Sequence, residues 1–243
     1  MKYNKIYFLL IPLLIIGCNP PIEDDLESEL LVLSTSELAM AKDSIAAFPS
    51  VYPEDESNQV SGFSHLRDEL ILAVTNRDTS FIYSILSESI RLSFGGTYGI
   101  PDFRSYWKLE SDSSEFWQTI SSALNLGGSF SDDTTVYTFP YMFRHYPRGI
   151  DPLFMLIATS DSSKVYSTPE KSSVFDTVRY TAFEELFKYQ INDDYSDEYR
   201  PVRIMADRYA FVKRAEFRSP VDYRGGFEKE DGEWKLTFWI AGD

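Results

Sequence analysis

The amino-acid sequence predicts an α+β protein, in which helices pack on an antiparallel sheet beside a separate all-β segment. Helical spacing dominates residues 66–126, where apolar side chains recur every third or fourth residue. Short alternating segments dominate residues 152–218 and predict the strands of a small β unit. The alternating segments 223–227 and 234–240 flank an Asp-Gly pair, which predicts a terminal β-hairpin.

The helices are predicted from apolar stripes and from their end signals. Leu66, Leu70 and Val74 form one stripe, and Asp78 can cap the helix that follows. Three more helices are expected over residues 36–47, 100–109 and 116–126, the last one ended by Gly127-Gly128.

The strands of the sheet are predicted from period-two alternation. They are expected at residues 90–94 and 134–143 and in the terminal hairpin. In the last strand one set of alternate residues is expected to face the core and the intervening set to face away. The predicted core-facing set is Trp234, Leu236, Phe238 and Ile240, with Lys235, Thr237 and Trp239 on the other side.

The N-terminus has the three-part pattern of a secretory signal. Two lysines precede the apolar run 6–16, and Gly17 precedes Cys18. The run is shorter than the roughly 20 residues that cross a membrane. Ile15-Ile16-Gly17-Cys18 resembles the lipobox of bacterial lipoproteins, which implies that residues 1–17 are removed and that Cys18 carries the lipid. An uncleaved anchor, or an ordinary signal peptide with a chance cysteine, is the alternative.

Residues 18–60 are predicted to be a lipidated tether with some helical order. Two prolines and three acids follow Cys18 within seven residues, which favours a stiff, solvated spacer. The lipoprotein resemblance implies attachment to a membrane of the cell envelope through the lipid on Cys18. Asn19 is compatible with onward transport to the outer membrane, on either its periplasmic or its surface face.

Composition excludes several classes of function. The formal net charge of −15 disfavours nucleic-acid binding, which depends on Lys and Arg neutralising phosphates. Cys18 is the single cysteine and the two histidines, His65 and His145, lie far apart, so no metal site and no cofactor are predicted. The acidic cluster Asp193-Asp194-Asp197-Glu198 lacks the spacing of a calcium loop and is interpreted as solvated.

Residues 162–214 resemble a bacterial SH3-like domain. The opening motif of that family corresponds to the segment from Lys164 to Pro169, and its closing strand to residues 209–212. Tyr166 stands where the family has arginine, and Ala210 where it has an aromatic residue. The resemblance implies an all-β SH3-like barrel over residues 152–218. Tyr166 and Tyr209, which lie in these motifs, are candidate ligand-binding residues for an envelope protein or a cell-wall peptide.

The segments on either side, 61–151 and 219–243, together resemble an NTF2-like domain. Helices interrupted by Asn-Arg-Asp, then strands and a long terminal hairpin, carry that resemblance. It implies helices on a curved antiparallel sheet around a cone-shaped pocket, with the SH3-like unit as an insertion. The whole arrangement resembles an uncharacterised group of SH3-domain-containing lipoproteins of Gram-negative bacteria. Tyr106 and Trp107 are the candidate ligand-binding residues of this unit.

Three functions are compatible with this sequence. The leading hypothesis is a non-enzymatic binding or assembly module at the cell envelope. The alternatives are a small-molecule enzyme of the isomerase or hydratase type, using a proton shuttle such as Asp102, Glu115 or His65, and a purely structural envelope protein. A deep cone with a convergent polar pair would favour the enzyme, whereas a cone filled by aromatic side chains would favour binding or structure.

Overall fold

A computed structural model describes residues 30–191 and 194–242, and helix and strand each account for 32% of these residues. This confirms the α+β class. The helices are α1 (Leu38–Ala46), α2 (Phe63–Asn76), α3 (Thr79–Ile85), α4 (Ile100–Trp107) and α5 (Phe116–Leu124).

The strands are short and form three sheets. In chain order they are β1 (Leu31–Val32), β2 (Leu86–Arg91), β3 (Ser129–Phe130), β4 (Val136–Phe139), β5 (Met155–Ala158), β6 (Ser163–Tyr166), β7 (Val174–Val178), β8 (Ala182–Glu184), β9 (Tyr199–Met205), β10 (Arg208–Lys213), β11 (Phe217–Arg218), β12 (Arg224–Glu230) and β13 (Glu233–Ile240).

The helices begin and end where local chemistry favours it. The Asp78 side chain accepts a hydrogen bond from the Phe81 N–H at 3.0 Å, so the predicted cap of α3 is confirmed. In α2, Leu70 and Val74 are buried, as their stripe predicts. Arg77 ends α2 in the left-handed conformation, with φ at 53°.

The first sheet has the order β2-β13-β12-β4-β3 and forms a helix–sheet unit with α2 to α5. The terminal hairpin therefore supplies two inner strands of the sheet. Asp231 and Gly232 at its turn have φ angles of 51° and 88°, the positive pair that a two-residue hairpin turn of this kind requires.

This sheet differs from the predicted one in direction and in strand limits. β2 runs parallel to β13, so the sheet is mixed, whereas a wholly antiparallel sheet is predicted. The strand also begins at Leu86, directly after α3, and ends before the predicted residues Leu92 to Phe94. Parallel pairing arises here because β2 and β13 are remote in sequence, and no hairpin sets their relative direction.

The last strand exchanges its faces part-way along. Leu236 lies opposite Phe227, but Phe238 lies opposite Gly226, so a β-bulge leaves Thr237 as an extra residue. Because one extra residue reverses the alternation, Trp239 joins Leu236 in the helix-facing core, and Phe238 does not. The predicted core face is therefore correct for Leu236 and wrong for the end of the strand.

We call residues 152–218 the second unit; their strands, together with β1 from the N-terminal segment, form the other two sheets. One has the order β1-β10-β6-β7, with β9 also paired to β10, and the other has the order β11-β5-β8. A bridge between Glu185 and Val202 links the end of β8 to β9. Across the described residues these sheets are open, and none closes into a barrel.

The two units meet along an apolar seam. β11 pairs with β5, which places the first and last strands of the second unit side by side. A separate buried cluster then joins residues of both units: Val51, Leu126, Met142, Met155, Ile157 and Ala182. The chain thus leaves the helix–sheet unit and returns to it at neighbouring points.

Residues 30–60 differ from the predicted tether, because they pack against the rest of the protein. β1 pairs with β10, and α1 buries Ala41 and Ile45 in the core of the second unit. Hydrogen bonds from Ser34 and Arg208 lower the pKa of Glu37 to about 2, and the Arg208 bond ties this segment to β10. The proposed lipidation site, Cys18, lies outside the described residues.

Candidate functional site

The interior of the helix–sheet unit is filled by aromatic rings. Each of the central rings is at most 1% exposed: Phe63, Phe103, Phe116, Tyr137, Phe139, Phe227 and Trp239. Phe139 stacks on Trp239 with ring centroids 5.7 Å apart, and Phe63 contacts Phe130, Tyr137 and Phe227 within 5.6 Å. Aromatic packing of this kind contributes to stability beyond the area that it buries.

One end of this aromatic core reaches the surface through α4. Successive helical residues point about 100° apart, so Trp107 turns inward at 6% exposure while Tyr106 remains 63% exposed. The Tyr106 hydroxyl lies 3.0 Å from the Tyr223 hydroxyl, and Tyr223 stacks on Trp239 at 5.6 Å. We call these four residues, Tyr106, Trp107, Tyr223 and Trp239, the aromatic rim.

Two clefts lie against the aromatic rim and share three of its side chains, Tyr106, Trp107 and Tyr223. The first cleft has a volume of about 200 Å³, and its other lining residues are polar: Lys108, Ser111, Ser113, Ser114 and Glu115. The second has a volume of about 260 Å³ and adds Leu92, Ser93, Thr97, Trp239 and Ala241. Apolar walls with a few polar groups are the usual composition of a ligand site.

The electrostatics of the rim keep the Tyr223 hydroxyl neutral. Burial, the hydrogen bond with Tyr106 and the nearby Glu115 raise the pKa of Tyr223 well above its usual range. A tyrosine hydroxyl can both donate and accept a hydrogen bond with a ligand. The rim is therefore suited to binding, and it does not supply a base near neutral pH.

The sequence predicts only half of this site. Tyr106 and Trp107 are candidate binding residues by sequence, and the structure places both at the clefts. Tyr223 was predicted to be the start of a strand, and Trp239 to face away from the core. The sequence signal for the bulge that turns Trp239 inward is the pair Gly225-Gly226 in the facing strand, since glycine inside a strand often marks a bulge.

The other two candidate binding residues lie elsewhere and are not accessible. Tyr166 is 3% exposed and packs edge-on against Tyr199 at 5.4 Å. Tyr209 is 2% exposed and packs against Phe211 in the same cluster. This corrects the prediction: both are packing residues, because they lie in one buried cluster while the intervening Ala210 and Val212 of β10 are buried in another.

The candidate proton shuttles do not converge on one place. Asp102 accepts a hydrogen bond from the Tyr98 N–H at 3.3 Å, beside the start of α4. His65 lies on the exposed face of α2, 3.5 Å from Glu69. Glu115 alone reaches a cleft of the rim.

In the part of the chain that the structure describes, no group of three or more His, Cys, Asp or Glu side chains could hold a metal ion. In the acidic loop, Asp194 lies 3.4 Å from Lys188, and Glu198 lies 2.5 Å from Lys213. Asp193 lies outside the described residues. His145 stacks on Tyr141 with ring centroids 4.1 Å apart.

Comparison of the chain with protein-family models, curated proteins and solved structures gives no match. Within residues 30–191 and 194–242, no helix has the length and apolar character needed to span a bilayer.

Proposed function

We propose that the protein is a lipid-anchored module of the bacterial cell envelope that binds a partner or ligand at the aromatic rim without catalysing a reaction. One observation carries this proposal. Aromatic side chains fill the centre of the helix–sheet unit, and the same aromatic packing continues to an exposed edge with two clefts. A filled interior favours binding over chemistry in an enclosed pocket.

An NTF2-like helix–sheet unit with an SH3-like insertion is the finer architecture that we propose. In support, the terminal hairpin is central in a sheet covered by α2 to α5. In the second unit the hairpins β6–β7 and β9–β10 lie side by side, as the motif order of the SH3-like resemblance implies. The pairing of β5 with β11 supports an insertion, because its ends are adjacent.

The envelope location rests on the signal pattern that ends at Cys18. We propose that lipid on Cys18 anchors the protein to the outer membrane. We also propose that the protein does not bind nucleic acid, because its net charge is −15. A protein carrying more than one acyl chain is held stably at a bilayer.

Replacing Cys18 by Ala is expected to move the protein out of the membrane fraction or to leave an uncleaved precursor. The reason is that the thiol is the acceptor of the lipid in this type of signal. Cell fractionation and electrophoretic mobility measure the result, with Ser28→Ala as a control nearby in the sequence. A Cys18→Ala protein that fractionates and migrates like the wild type would refute the anchor.

The Tyr106→Ala variant is expected to lose most of the capture of a specific binder from envelope extract. Exposed aromatic residues at the centre of an interface commonly contribute 2 kcal/mol or more, which corresponds to roughly 30-fold in affinity. The side chain is 63% exposed, so the melting temperature should change little. Tyr106→Phe keeps the ring and should retain part of the binding.

Tyr189→Ala is the matched control, since Tyr189 is 83% exposed on the second unit. Species captured by the wild type and by Tyr189→Ala, but lost with Tyr106→Ala, would support the aromatic rim. Equal capture by all three proteins would place binding elsewhere.

A further inference from the structure

Arg218 is a buried cation at the seam between the two units. It lies on β11, its residue is 9% exposed, and its Nη2 donates a hydrogen bond to the carbonyl oxygen of Tyr223. Its Nε has no hydrogen-bond partner among the described residues, and no carboxylate there lies within ion-pair distance of it. Arginine stays protonated in proteins, so the charge remains.

A buried guanidinium in this state is costly. Removing a charge from water without an opposite charge is strongly unfavourable, and an unpaired buried donor adds to that cost. Burial and the nearby positive charge of Arg224 lower the pKa of Arg218, whereas the negative charge of Asp222 raises it. An unpaired buried group of this kind commonly meets an ordered water, an ion or a ligand.

Arg218 also lines an open cleft of about 340 Å³ at this seam. The last turn of α5 and the residue that follows it contribute the polar side chains of Ser122 and Asn125 from the helix–sheet unit. Thr159 and Asp222 line the cleft beside them. The cleft is distinct from the aromatic rim, with which it shares none of its lining residues.

We propose that this cleft binds a small organic monocarboxylate, whose negative charge is neutralised by Arg218. Hydrogen bonds between a guanidinium and a carboxylate are charge-assisted and stronger than neutral ones. Asp222 sets the preference between anions, because its carboxylate lines the same cleft and accepts a hydrogen bond from the Ser219 N–H at 3.2 Å. A dianion such as phosphate would keep one negative charge that Arg218 does not neutralise, beside the negative charge of Asp222.

The experiment titrates the full-length protein with propionate and follows its ¹H–¹⁵N resonances. The Nε–H signal of Arg218, assigned by its loss in Arg218→Lys, should move saturably with propionate. The Nε–H signal of Arg203 should stay in place, because that group is already bonded to Glu184 at 2.8 Å. Phosphate at equal ionic strength should produce a clearly smaller shift at Arg218.

Two variants complete the test through the backbone amide of Thr159. The shift of this amide gives the apparent dissociation constant for propionate. In the Arg218→Lys protein that constant should rise about 10-fold, the usual effect of losing a hydrogen bond to a charged group. Asp222 is exposed, and in Asp222→Asn the amide oxygen can still accept the hydrogen bond from Ser219. Because the negative charge is removed, propionate should bind this variant about 3-fold more tightly. Asp222→Asn also keeps the test valid if Arg218→Lys does not fold.

Three results would overturn the proposal. The first is an Arg218 signal that does not respond to propionate in the wild type. The second is a response to phosphate as strong as the response to propionate. The third is an Asp222→Asn variant whose affinity for propionate is unchanged.

Discussion

A chain that ends at Ser219 is expected to lose the cooperative fold of the helix–sheet unit, not merely a C-terminal tail. The truncation removes β12 and β13, which lie between β2 on one side and β4 on the other. The backbone groups of β2 and β4 that pair with the hairpin would be left without partners.

The lost side chains make the effect large. Phe227, Leu236 and Trp239 are each at most 1% exposed in the core with α2 to α5. Removing one buried aromatic ring alone costs about 3–5 kcal/mol, and a whole domain is stable by only about 5–15 kcal/mol. Loss of all three therefore removes a free energy comparable with the whole stability of the unit, before the lost strand pairing is counted.

Thermal unfolding followed by far- and near-ultraviolet circular dichroism measures this result. The full-length Glu233→Ala variant is the control, since its side chain is 75% exposed and both strands remain. The free energy of unfolding of that control should lie within about 0.5 kcal/mol of the wild-type value. A truncated chain with native helicity and a single sharp transition would show that α2 to α5 have a core of their own.

The features predicted best from sequence are those decided by neighbouring residues. Asp78 caps α3 because its side chain meets the N–H three residues later, a contact set by local geometry. The Asp231-Gly232 turn is likewise local, since both residues adopt positive φ without help from distant parts of the chain.

The features missed are those decided by contacts between remote segments. Residues 30–60 carry prolines and acids, but β10 supplies the pairing that orders Leu31–Val32. The need for glycine at position 127 is evident only from the tertiary structure, because a Cβ there would lie 1.9 Å from the carbonyl oxygen of Glu54. The sequence indicates a helix end at Gly127, and the structure shows that a second segment passes directly over it.

The candidate site divides in the same way. Tyr106 and Trp107 are adjacent in sequence, and helical geometry alone predicts that one can be exposed while the other is buried. Tyr223 reaches the Tyr106 hydroxyl across a separation of 117 residues, so no local pattern could reveal it. Half of the rim follows from sequence, and the other half depends on how the hairpin packs.

Replacing Arg67 by Ala is expected to destabilise the protein by about 2–4 kcal/mol, because two buried hydrogen bonds are lost together with an ion pair whose Asp55 partner is 37% exposed. The Arg67 side chain on α2 is 9% exposed and lies 3.0 Å from the Asp55 carboxylate. Its Nε donates to the Tyr137 hydroxyl at 3.1 Å, and its Nη2 donates to the Leu124 carbonyl at 2.9 Å. One side chain thus joins α2, α5, β4 and the segment that contains Asp55.

The network closes through Tyr137, which makes its members interdependent. The Tyr137 hydroxyl accepts from Arg67 and donates to Asp55 at 2.9 Å. Burial raises the pKa of Tyr137 far above its usual range, so the hydroxyl remains a donor at all ordinary pH values. Tyr137→Phe removes one donor and one acceptor and is expected to cost about 1–3 kcal/mol.

Chemical denaturation of Arg67→Ala, Asp55→Ala and the double variant would measure the coupling. Because both residues belong to one network, the double variant should fall short of the sum of the single effects by about 0.5–3 kcal/mol. His65→Ala is the control on the same helix, since its side chain is 79% exposed, and it should change stability by no more than about 0.5 kcal/mol.

Additive single effects would mean that Asp55 and Arg67 act separately. In that case the packing of Gly128 against residues 54–56, where Gly128 N–H donates to the Glu54 carbonyl at 2.9 Å, would be what holds this segment on the helix–sheet unit.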